Sequence, residues 1–209
     1  MPATAKAGCL IVDNANGRVV ETFHGGLING RWDMTALDGG SVERVFVTIV
    51  LNATVKAKGS VVHGGTVVRI VLRTTGVSMP RMTSEIVIGS RFGEKIDPAA
   101  LVVGPTGLAL GANGTLYVVD TVACRITAIP GAASRSSNAG IGSIVSHGAA
   151  LNAPLGLTLA PNGDILTVNG GDGIVETRPS GVWLNCEVTG LIRRAEQPGP
   201  GKTVRGGLP

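Results

Sequence analysis

Aromatic residues are scarce in this chain: two Trp, one Tyr and three Phe among 209 residues. Charged residues are also few, at 15%. No apolar stretch reaches the roughly 18 to 20 uninterrupted residues of a membrane-crossing helix, so no membrane span is expected. Met1 to Leu10 carries no long apolar run after Lys6, so no signal peptide is expected and the chain as written reads as cytoplasmic. Cys9, Cys124 and Cys186 stand far apart, with no Cys-x-x-Cys pair. That spacing argues against a disulfide framework or a zinc site. There is no Gly-x-Ser-x-Gly elbow, no His-Glu-x-x-His and no P-loop, so no familiar nucleophile, zinc or nucleotide motif announces an activity.

What is present points to strands. Hydrophobic residues make up 44% of the chain, enough for a packed core and too many for a disordered polymer. Gly (32) and Pro (11) are abundant, and clusters of Val are separated by Gly, Asn and Asp. This pattern predicts many short strands joined by tight turns, in one domain. Arg193, Arg194, Lys202 and Arg205, against Glu196, hold most of the net charge of +4. The basic character therefore belongs to a Gly/Pro/Arg-rich tail, residues 186–209, beyond a β-domain of residues 1–185. A nucleic-acid surface needs basic residues on a folded face with aromatic platforms; neither is visible, so no nucleic-acid partner is expected.

Internal repetition organises the chain. Pro105-Thr106-Gly107-Leu108-Ala109-Leu110 stands 49 residues before Pro154-Leu155-Gly156-Leu157-Thr158-Leu159. The same offset aligns Asn113-Gly114 with Asn162-Gly163, Leu116 to Asp120 with Ile165 to Asn169, and Arg125-Ile126 with Ile174-Val175. The unit reads as strand, Asn-Gly hairpin, strand, Asx-terminated turn and third strand, with a fourth strand from Ser143 to Ser146. Four antiparallel strands per 40 to 50 residues is the period of a propeller blade.

Weaker echoes lie upstream. Trp32 to Leu37 and Val45 to Val50 read as the first two strands of another unit, followed by an enlarged hairpin from Leu51 to Thr66. Asp13, Asp120 and Asn169 are each expected to end a second strand. His24-Gly25, Ile28-Asn29 and Asp33 align with His147-Gly148, Leu151-Asn152 and Gly156, just before or within two first strands.

These motifs resemble the bacterial NHL-repeat type of β-propeller, whose blade pattern includes Pro-x-Gly-Leu-Ala-Leu, Gly-x-Leu-Tyr-Val-x-Asp-Thr and Arg-Ile. The resemblance covers residues 101 to 180 closely and 9 to 50 more loosely. It implies an all-β propeller of four-stranded antiparallel blades, about four in this chain. That is short of the family's usual six, as in a truncated member, so open blade edges imply a homo-oligomer. Such relatives are commonly exported.

At fold level the chain also resembles the gluconolactonase and paraoxonase type of lactonase. That likeness implies a hydrolase using Ca²⁺ to open a small lactone or ester by activated water. Oxygen donors suit calcium, which nominates Asn29, Asp33 and Asn152 as metal ligands. His24 and His147, nearby in the alignment, are nominated as general bases. The plain structural alternative is that the Asn side chains cap turns and the His residues fill loops. The other functional reading is a non-catalytic scaffold whose loops bind a protein, peptide or carbohydrate.

Overall fold

The computed structural model describes residues 9–76, 79–148, 150–172 and the backbone of 175–178. Every regular element among these residues is a β-strand. β1 (Leu10–Asp13) and β2 (Val19–Phe23) pair as a hairpin. β3 (Gly30–Leu37), β4 (Val42–Val50), β5 (Val62–Arg73), β6 (Arg81–Asp97) and β7 (Leu101–Val103) form the next sheet. β8 (Pro105–Leu110), β9 (Leu116–Asp120), β10 (Arg125–Ile129) and β11 (Ser143–His147) form a four-stranded sheet. β12 (Pro154–Leu159), β13 (Ile165–Asn169) and β14 (Val175–Arg178) form a three-stranded one. The described residues are thus all-β, in several antiparallel sheets in each of which neighbouring strands are consecutive in the chain. Trp183, Cys186 and the tail of residues 186–209 lie outside the described residues.

The 49-residue repeat holds at the level of hydrogen bonds. In the β8–β9 turn the Gly111 amide donates to Thr115 O at 2.8 Å and the Thr115 amide to Asn113 Oδ1 at 3.0 Å. In the β12–β13 turn the Ala160 amide donates to Asp164 O at 2.8 Å and the Asp164 amide to Asn162 Oδ1 at 3.1 Å. Gly114 (φ 76°) and Gly163 (φ 89°) occupy the left-handed position that both turns require. The upstream echo holds too. Ile28 closes a turn on Gly25 O at 3.0 Å, and Leu151 closes one on Gly148 O at 2.9 Å. Both apolar residues are buried.

Each first strand carries one bulge at the same place. It covers Trp32–Asp33 in β3, Thr106–Gly107 in β8 and Leu155–Gly156 in β12. The residues on either side pair normally with the second strand. Asp33, Gly107 and Gly156 are therefore equivalent positions, which agrees with the alignment of Asp33 to Gly156.

Alternation along the strands feeds a core on each side of the inner sheets. Leu10, Val47, Ile49, Val68 and Ile70 pack the β1–β2 hairpin against the β3 sheet. Phe46, Val67, Phe92, Leu108 and Val118 fill the space between the β3 and β8 sheets. Tyr117, Ile126, Leu151 and Ile165 fill the space between the β8 and β12 sheets. A sheet covered on both faces loses its polar side; accordingly β9 is buried at all five positions.

Two local expectations change. His63-Gly64-Gly65, read with the enlarged hairpin as a turn, belongs to β5. The glycines are needed there for close approach: a Cβ on Gly65 would meet Pro105 Cδ at 2.6 Å, and one on Gly64 would meet the Glu94 carboxylate at 2.6 Å. Among the described residues Asp13 ends β1, a strand paired with β2 alone, whereas Asp120 and Asn169 end strands paired on both sides.

Candidate functional site

The candidate site is the end of the molecule where first strands begin and second strands finish. Registers place Gly30 opposite Val50, Pro105 opposite Asp120 and Pro154 opposite Asn169. The loops following these second strands therefore share one end with Asn29 and Asn152, which lie one and two residues before first strands.

Asn29 is half-buried and its Nδ2 donates to Asn52 Oδ1 at 3.0 Å; Asn52 Nδ2 in turn donates to Gly64 O at 2.9 Å. This chain ties the start of β3 to the loop after β4 and to β5. The loop is strained at Leu51 (φ 68°) and Ala53 (φ 78°), side-chain-bearing residues in the left-handed region. Under it lies Glu94, at 0% exposure. Neither of its carboxylate oxygens makes a well-aligned hydrogen bond, although the backbone amides of Asn52 and Leu51 lie near it. Burial raises the Glu94 carboxyl to about 7, with the backbone amides of Asn52 and Leu51 pulling the other way. A Cβ on Gly104 would meet Glu94 Cβ at 3.1 Å, so that wall is closed.

Asp120 is also fully buried. Its carboxylate accepts from Arg125 Nε at 2.8 Å and faces Nη2 at 2.6 Å, an acid–arginine pair across the β9–β10 turn. Desolvation raises its pKa, opposed by Arg125 and by the Ala123 and Gly93 amides. On the third sheet, Asn169 Oδ1 accepts from the Asn152 amide at 3.0 Å, and Asn152 Nδ2 donates to Asp172 at 3.2 Å. Asn152 thereby fixes the turn after β13.

Asp33 sits apart from this end, inside the β3 bulge. Its Oδ2 accepts the Leu108 amide at 2.9 Å and so clips β3 to β8. Thr48 Oγ1 donates to Thr106 O at 2.9 Å. Thr106 Oγ1 donates to Leu155 O, and Thr121 Oγ1 to Pro154 O, each at 2.6 Å. These bonds place β3, β8 and β12 side by side. At Gly107 the approach is closest, since a Cβ there would meet Leu157 N at 2.6 Å and Leu155 O at 2.7 Å. His24 and His147 are exposed, just after β2 and at the end of β11.

Asn29, Asp33 and Asn152 are each spent on a different partner. Among the described residues no three His, Cys, Asp or Glu side chains gather as a metal-binding group. As arranged, these three residues hold two turns and a sheet junction. Glu94 and Asn52 were not visible as site residues in the sequence, because their burial comes from a distant loop and from β5 folding over them. Among the described residues no helix is long and apolar enough to cross a membrane. No family model and no curated protein matches the chain.

Proposed function

We propose that the protein is a β-propeller scaffold of the NHL-repeat type, whose sheets stand as blades about a shared axis. Loops at the Asn29–Asp120–Asn169 end hold a protein, peptide or carbohydrate partner without chemistry. The observation that supports this reading is the use of Asp33, Thr48, Thr106 and Thr121 as clips between adjacent sheets. Asp33, nominated as a metal ligand, takes part in holding a rigid frame. Such a frame suits the display of loops, and a fold of this kind carries no activity by itself.

A second reading, a lactonase opening a cyclic ester by activated water, draws on a different observation. Glu94 titrates near neutrality beside Asn52, which is the range in which a general base works best. Hydrolysis of a panel of lactones, with and without a calcium chelator, separates the two. The scaffold reading predicts no turnover above background in either condition. Turnover that is lost with chelator or in Glu94→Gln overturns it in favour of the hydrolase.

A further inference from the structure

The turn after β10, residues 130–135, is held by three arginines. Arg44 Nε, from β4, donates to Ala133 O at 3.1 Å. Arg69 Nη1, from β5, donates to Ala132 O at 2.9 Å. Arg135, within the turn itself, donates from Nε to Pro130 O at 3.1 Å. The register of β4 and β5 explains why two of them converge. Arg69 stands opposite Phe46, and Arg44 lies two residues before Phe46, so both side chains leave the same face of the sheet. On that face Phe46 and Val67 pack with Ala132 between the β3 and β8 sheets. Arg44 pairs with Leu37 at the β3–β4 hairpin, and Ile129 with Leu116 where β9 begins. The guanidinium pair thus closes this core at the end opposite to Asn29 and Asp120.

Each of these bonds goes to a neutral carbonyl. Among the described residues no carboxylate forms an ion pair with Arg44, Arg69 or Arg135. The nearby acids are turned elsewhere. Glu43 precedes Arg44 and leaves the opposite face of β4. Desolvation and then Asp38 raise its carboxyl, whereas a guanidinium partner would lower it. Asp38 Oδ1 accepts the Gly40 amide at 2.7 Å. Glu85, next to the Ile86 that pairs with Arg69, accepts the Leu27 amide at 3.2 Å. Meanwhile the two arginines repel each other: burial, and then Arg44, lower the Arg69 pKa. Arg69 Nε is buried without a partner. A guanidinium has five N–H donors, so most of these donors are unspent. Two like charges side by side with donors to spare are unfavourable alone, and an oxyanion between them relieves the repulsion.

We infer that Arg44 and Arg69 bind a phosphate group, either the free ion or the monoester of a small molecule, with Arg135 adding charge to the same turn. A phosphate group carries about −1.5 to −2 charge at pH 7 and three strong acceptor oxygens. It matches two guanidinium groups in charge and in number of bonds, where a carboxylate would neutralise one. The two arginines come from paired strands, and the turn is fixed by its own bonds: the Ala132 amide donates to Gly114 O at 3.0 Å and the Arg135 amide to Gly131 O at 2.9 Å. The forks are therefore held ready. The inference goes beyond the scaffold reading and does not depend on it, since the site lies at the other end of the sheets.

Titration of the isotope-labelled full chain with sodium phosphate at constant ionic strength tests it. The Nε–Hε resonances of Arg44 and Arg69 and the amides of residues 130–135 should shift and saturate. Acetate at the same ionic strength should bind at least about tenfold more weakly. Arg44→Gln and Arg69→Gln should each weaken phosphate binding by about tenfold or more. Arg18→Gln, which removes an exposed arginine elsewhere, should leave it unchanged. Arg44→Lys keeps the charge and loses the fork; it is expected to weaken binding too, and it carries the test should a glutamine variant unfold. Glycerol 3-phosphate separates the two sources: tighter binding than inorganic phosphate assigns the ester, weaker binding the free ion. Shifts that never saturate overturn the inference, as do acetate binding equal to phosphate and folded Arg44 and Arg69 variants that bind like wild type.

Discussion

Replacing Glu94 by Gln removes a charge from a fully buried carboxyl at the loop end. The folded protein holds this group at about 7, against an ordinary 4.5. Below 4.5 the group is protonated in both folded and unfolded chains and contributes no pH dependence. Between 4.5 and 7 the unfolded chain releases the proton first, so stability falls as pH rises. Above 7 both forms are ionised and the loss is complete. At about 1.4 kcal/mol per pH unit, the full loss is roughly 3 kcal/mol. Glu94→Gln cannot ionise and escapes this penalty. Its amide brings two donors that need partners, which lowers stability by a constant amount of about 1–3 kcal/mol. The discriminating quantity is therefore the pH dependence of the difference. Urea unfolding of both proteins at pH 4, 6 and 8 should show the variant gaining roughly 3 kcal/mol relative to wild type across the series. Parallel pH profiles would refute the burial and the raised titration of Glu94.

Gly107→Ala should cost about 2 kcal/mol or more, because its Cβ collides with backbone atoms that cannot yield. Gly156→Ala, with open space at the equivalent position, should stay within about 0.5 kcal/mol; equal effects in denaturant titration would break the equivalence of their surroundings. Asp33→Ala strands the buried Leu108 amide and should cost about 1–3 kcal/mol. Asp33→Asn retains an acceptor and should cost less, a ranking readable from thermal melts. Arg125→Gln leaves the buried Asp120 carboxylate unpaired, at a cost of roughly 3 kcal/mol near neutral pH. That cost should shrink as pH falls and Asp120 takes up a proton; a cost that grows in acid would contradict the pair.

Local chemistry was readable in the sequence, and long-range coverage was not. Asn113-Gly114 and Asn162-Gly163 specify their hairpins because the left-handed backbone and the Asx bond are satisfied within a few residues. The alignment of Asp33 with Gly156 placed both at the start of first strands, although nothing local shows the bulge there or why an acid replaces a glycine. The reason is the amide of Leu108, 75 residues away. Glu94 escaped notice for the same cause, since it is buried by residues 51–52, Gly64 and Gly104. His63-Gly64-Gly65 looked like a turn because glycines usually break strands. Here they serve the close approach of Pro105 and Glu94.

First strands lie side by side, each with a bulge at the same place. Nuclear Overhauser spectroscopy of the isotope-labelled chain addresses this most directly. Strong cross-peaks are predicted from the Gly107 α-protons to the Leu157 amide, and from the Asp33 β-protons to the Leu108 amide. If both peaks were missing while the β8–β9 and β12–β13 hairpins gave their full set, the sheets would be sound and their arrangement around a common axis would be wrong.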